Sequence, residues 1–132
     1  MSKCSSNSFS HVNDAVYMSL ELQRNIVVAD PTPITDLSLF TTVYIDETNF
    51  PINGTILAVN NGAETNTFSN GTVVIMVNNN VNTQFFIPPN ESMSKTFGTI
   101  DSIQVAVTSS PLSQTGNYEA ILELSFSLNY KF

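Results

Sequence analysis

Any catalytic chemistry in this chain of 132 residues would have to start from its one histidine, His11, its one cysteine, Cys4, and a handful of carboxylates. A Ser-His or Cys-His nucleophile pair needs an imidazole held against the nucleophile inside a folded domain, and His11 lies in a polar N-terminal stretch instead. Zinc usually wants four ligands; Cys4 and His11 supply two, so other chains would have to complete the set. Paired carboxylates for glycoside hydrolysis would come from Asp46-Glu47, Glu119 and Glu123. The first two fall in a turn, and the last two sit on one strand face where solvated side chains are expected. The Asp-rich calcium loop pattern is absent, which leaves Asp30, Asp36 and Asp46, near turns, as candidates for a weak surface calcium ion at most. Asn53-Gly54-Thr55, Asn70-Gly71-Thr72 and Asn90-Glu91-Ser92 match the glycosylation acceptor pattern, which a chain rich in Asn and Thr generates by chance. Phe85, Phe86, Phe97 and Phe126 are expected in the core rather than on a sugar-stacking platform. The expectation is a protein that is not an enzyme, with no cofactor and no metal.

Composition points the same way. Lys and Arg total 4 against 11 acids, for a net charge of -7, and such a surface repels phosphate backbones, so nucleic acid is not an expected partner. The longest apolar run, Val73 to Val77, is far short of a membrane-spanning helix, which excludes insertion of that kind. Residues 1–10 lack the apolar core of a secretory signal, so the chain is expected to be made in a cytoplasm, unless a signal was removed. With only Cys4, a disulfide must join two chains. Asn, Ser and Thr number 16, 16 and 14, giving a surface of amides and hydroxyls with few salt bridges.

Helical periodicity is absent, and period-two alternation recurs. Residues 1–13 form a Ser-rich arm with Phe9 and Val12 as its large apolar side chains, a composition unable to build a core. The domain is expected over residues 14–132. Strands are read at Ala15–Leu22, Ile26–Ala29, Leu37–Ile45, Thr55–Val59, Thr72–Val77, Thr83–Ile87, Ser92–Phe97, Ile100–Val107 and a long closing strand. In that last strand Ala120, Leu122, Leu124, Phe126, Leu128 and Tyr130 share one face. Asn53-Gly54, Asn61-Gly62 and Asn70-Gly71 predict tight hairpin turns of a meander, whose polar middle segment, 63–68, lies at an edge or loops out. Asn78-Asn79-Asn80 closes it. About eight strands with frequent turns predict an all-β, two-sheet jelly-roll sandwich with an extended N-terminal arm.

The closing segments, Glu91-Ser92-Met93-Ser94-Lys95-Thr96-Phe97-Gly98-Thr99-Ile100-Asp101-Ser102-Ile103-Gln104-Val105 and Gly116 to Tyr130, together with a Cys-bearing polar arm, resemble the endospore appendage (Ena) pilins of spore-forming bacilli. That resemblance implies a jelly-roll subunit polymerising into a fibre on the spore surface, made in the mother-cell cytoplasm, with sheets joined laterally and the arm reaching along the fibre. Cys4 matches the arm's cross-linking position. Because it stands alone, Cys4–Cys4 pairing, attachment to a different protein, or no bond all remain open.

The physics of edges adds to this: an arm unable to fold alone complements a sandwich whose edges carry unpaired N–H and C=O groups. Partners are therefore expected to be copies of the chain in a helical polymer, with an anchoring or tip protein as a further class. The competing readings are a binding module, either a trimeric jelly roll of the tumour-necrosis-factor or complement kind or an adhesin tip, and a viral or phage coat protein.

Overall fold

The alternation read in the closing strand organises the whole molecule. In a computed structural model that describes residues 11–48 and 52–131, this strand runs from Gly116 to Lys131 and buries Ala120, Leu122, Leu124, Phe126 and Leu128. In chain order the strands are β1 (His11–Ile26), β2 (Thr41–Ile45), β3 (Ile52–Asn60), β4 (Ser69–Asn70), β5 (Thr72–Val77), β6 (Phe85–Ile87), β7 (Ser92–Phe97), β8 (Ser102–Thr108) and β9 (Gly116–Lys131). One sheet has the order β1-β9-β3-β7, with β4 parallel to the start of β9; the other has the order β2-β8-β5-β6. With the two-residue β4 set aside, these are the two interleaved four-stranded sheets of a jelly roll, as the sequence predicts. Ile52, Ile56, Val73, Ile75, Ile87, Ile103, Leu122 and Leu124 fill the space between the sheets.

Several local readings are revised. The two short strands expected at 15–22 and 26–29 are one strand and a loop: β1 stays paired with β9 through Asn25 and Ile26, while Val27 and Val28 are 79% and 77% exposed. The long strand expected at Leu37–Ile45 is a 3-10 turn at Leu37–Leu39 followed by β2. Asp36 makes the difference, because its carboxylate accepts from Ser38 N at 3.0 Å and Ser38 Oγ at 2.6 Å and so diverts the backbone.

The meander is also revised. A type I′ turn needs positive φ at both central residues, and of the three Asn-Gly pairs only Gly62 has it, at φ 76°. Asn53-Gly54 lies inside β3, with Gly54 in phase with the inward-facing Ile52, Ile56 and Ala58 and Asn53 exposed on the other face. β3 pairs with β9 and β7 and β5 with β8 and β6, so the segments on either side of the 61–68 loop belong to opposite sheets. Left-handed turn chemistry falls instead on Asn78 and Asn79, with φ 60° and 52°, where β5 ends.

The two central strands of the second sheet have no wet face. Every residue of β5 and β8 is buried, because the segment after β1 folds back over them and sets Ile34, Leu39 and Phe40 against Val74, Ala106 and Phe86. Gln84 fastens this cover: its Oε1 accepts from Ile34 N at 2.8 Å and its Nε2 donates to Ile34 O at 2.7 Å, copying a strand's pairing with one side chain.

Candidate assembly surfaces

Of the residues singled out in the arm, Cys4 and Phe9 lie outside the described residues. Val12 stands in β1 opposite Tyr130, between His11 opposite Lys131 and Asn13 opposite Asn129. Among the described residues no three acidic or sulfur and imidazole groups cluster to hold a metal ion.

Most of the carboxylates weighed for chemistry are held by the fold. Asp30, considered for a surface calcium ion, is instead buried in an ion pair. Arg24 Nη1 and Nη2 donate to its two oxygens at 2.7 and 2.8 Å, and Thr108 Oγ1 donates at 2.6 Å. Arg24 also donates to Val107 O at 3.1 Å, which ties β1 to β8 across the sandwich. Burial pushes the Asp30 carboxyl up, but the hydrogen bonds from Arg24 and Thr108 and the Arg24 charge outweigh it, and the group titrates below its ordinary range. Asp46 Oδ1 accepts from Thr48 N and Oγ1 at 2.8 and 2.7 Å, which occupies it locally.

Glu119 corrects another expectation, since it is not a solvated strand residue. It is closed off from solvent and receives Gln23 Nε2 at 2.8 Å, Glu64 N at 3.0 Å, and Thr65 N and Oγ1 at 3.2 Å each. The Gln23 hydrogen bond, followed by those of the loop and opposed by desolvation, lowers its pKa. A polar loop such as 61–68 carries backbone donors that need acceptors, and that is the signal pointing to a carboxylate beneath it. Asn60, unnoticed in the sequence, is the neutral counterpart: fully buried, its Nδ2 donates to Gly71 O and Ile87 O, both at 2.9 Å, and its Oδ1 accepts from Gly62 N at 2.9 Å.

Acid sensitivity follows from the signs. Asp30, Asp36 and Glu119 all have folded-state pKa values below their ordinary ones, so each contributes stability that is complete above its unfolded pKa and lost as pH falls through the folded value. Tyr17, raised chiefly by its hydrogen bond to Glu123, contributes stability below its unfolded pKa that is lost as pH rises past the folded one. The melting temperature is therefore highest around neutrality. Asp30→Asn is expected to cost about 2 kcal/mol, since it strands a mostly buried guanidinium, and to flatten the acid limb of the profile. Thermal melts of both proteins across pH check this, and parallel acid limbs would contradict it.

What the fold leaves open is its edges. β1 pairs along its full 16 residues with β9, and among the described residues no strand pairs with its other side. At the far end β7 has five of its six residues exposed. In the second sheet the edges are β2, whose ladder shifts register between Thr42 and Tyr44, and the three-residue β6. Lys95 on β7, exposed overall, sets its Nζ 5.6 Å from the Phe85 ring centre and 5.8 Å from that of Phe97. On the outer face of the first sheet a shallow depression of about 410 Å³ lies among the small residues Ala15, Thr55, Ser94, Ser125 and Ser127, beside Tyr17 and Leu57. Ile45, 61% exposed, adds an apolar side chain at the end of β2.

The described residues thus form a jelly roll whose two sheets each end in unpaired strand edges. The chain is a member of the endospore appendage family, whose model matches residues 1–132. It is a structural fibre subunit by that membership. A solved structure of Bacillus endospore appendages, described as forming a family of disulfide-linked pili, is similar over 100% of this chain and 97% of the other, at TM-score 0.61 and 15% identity. Tobacco streak virus coat protein gives TM-score 0.34 at 11% identity over 83% of this chain and 85% of its own. No curated protein matches the chain.

Proposed function

We propose that the chain polymerises with copies of itself into a fibre on the spore surface, joined laterally by β-sheet augmentation and along the fibre by residues 1–13 of one subunit contacting its neighbours. The observation that carries this reading is the family match over the whole chain, 1–132. The free edges of β1, β7, β2 and β6 support it physically, because a strand edge presents a row of backbone donors and acceptors that another strand satisfies. A heterologous pairing of unlike edges need not close and therefore builds an open polymer. In the arm, Phe9 and Val12 are the apolar anchors. Cys4 is the one thiol available for an intersubunit disulfide, to another Cys4 or to an anchoring or tip protein. Synthesis in the mother-cell cytoplasm is part of the same proposal.

Light scattering coupled to size-exclusion chromatography over a concentration series tests the assembly mode. Mass that climbs with concentration, without a plateau, is expected. A fixed trimer at every concentration would support the rival binding module and reject the polymer.

A further inference from the structure

The Asn-Gly pairs that do not make hairpin turns remain to be explained, because Asn-Gly is the dipeptide most prone to spontaneous deamidation. With no Cβ in the way, the glycine nitrogen reaches the asparagine Cγ and forms a bond to it, losing its proton. The Cγ–Nδ2 bond breaks and ammonia leaves, giving a succinimide. Water then opens the ring at either carbonyl to yield aspartate or isoaspartate, with no change of oxidation state. Sixteen asparagines, three of them before glycine, make this a chain with much to lose.

We propose that Asn61-Gly62 and Asn70-Gly71 are latent deamidation sites held unreactive by hydrogen bonds on the two nitrogens that would attack. Gly62 N donates to the buried Asn60 Oδ1 at 2.9 Å, and Gly71 N donates to Glu119 O at 2.8 Å. Both glycines are buried. The asparagine side chains are engaged as well: Asn61 Nδ2 donates to the Glu123 carboxylate, and Asn70 Oδ1 accepts from Ala63 N at 2.7 Å. Attack at either site has to break a backbone hydrogen bond and pull the side chain from its partner. The two sites flank one loop, which Glu119 grips at Glu64 and Thr65, so a single local opening exposes both. Conversion at Asn61 would set a second carboxylate against Glu123. This inference holds whether or not the chain polymerises.

The test is peptide mass spectrometry of the full chain aged in mildly alkaline buffer, native and in urea, following amide-to-acid conversion at each site. Conversion at Asn61 and Asn70 is expected to be at least about tenfold slower in the native protein, because it waits on local opening. Glu119→Gln, which weakens the grip on the loop, is expected to raise both native rates together. Native rates within about twofold of those in urea overturn the proposal, since they would mean that no opening step is required. A Glu119→Gln protein whose loop amides exchange faster while neither site converts faster overturns it equally.

Discussion

Removing residues 1–13 is expected to abolish long fibres and leave the jelly roll folded. The described core cluster draws on β1 from Val16 onward, so the truncated chain keeps Val16, Met18, Leu20 and Leu22 against the sandwich interior. It loses pairings only at the far end of the ladder, where His11, Val12 and Asn13 face Lys131, Tyr130 and Asn129. Strand ends fray at little cost, and the melting temperature should stay within about 5 °C of the full chain's. Truncation after residue 10 leaves β1 whole and separates the arm's contribution from that of the strand end. If the arm joins subunits along the fibre, both truncated proteins give short laterally joined oligomers in place of fibres. Fibres of unchanged length from either would reject the arm's role, while circular dichroism confirms that the domain survives.

Gly54→Ala is expected to be the most damaging single substitution among the glycines that the sequence marks as turn residues. A Cβ at position 54 would stand 2.2 Å from Ser127 O and 3.2 Å from Leu128 Cδ2. Ser127 O is main chain in β9, between β1 on one side and β3 on the other, so it has nowhere to retreat. Separating the two central strands should cost about 3–4 kcal/mol or more, a large part of a typical domain's 5–15 kcal/mol. The melting temperature is then about 10–20 °C lower, and much of the protein is insoluble. Gly98→Ala is the control: its Cβ meets nothing within 4 Å, and a change inside about 0.5 kcal/mol is expected. Equal melting temperatures for the two variants would refute the close-approach account of Gly54.

These two glycines show where sequence reading stops. The elements legible in the chain were those whose pattern is local and uninterrupted: β5 and β7 run as expected, Thr72–Val77 and Ser92–Phe97, and the alternation of β9 marks its buried face. Asn53-Gly54 has the same letters as a hairpin turn, yet Gly54 is needed for its missing side chain, because β9 passes against it, and that neighbour lies more than seventy residues away. Asn61-Gly62 and Asn70-Gly71 look alike too, but the Asn61 side chain answers to Glu123 and Gly71 N to Glu119 O, both far along the chain. Length misled at β1, where Asn25 reads as a break and is instead paired with Asn117. Among the polar groups, Glu119 became structural because a loop 55 residues away came to it through the fold, whereas Arg24 meets Asp30 only six residues on, once the chain turns back after β1. The edges offered for assembly were inferable as a class from the predicted sandwich. Which strands they are required the sheet order.

The central claim, that copies of this chain complete one another's sheets in an open array, is tested most directly by negative-stain microscopy of the purified full chain with and without reductant. Long fibres of uniform width are predicted without reductant. Their persistence with it would assign the lateral contacts to backbone pairing, and their shortening would assign part of the length to Cys4. Only discrete particles, or single subunits, under every ionic and redox condition would contradict the account.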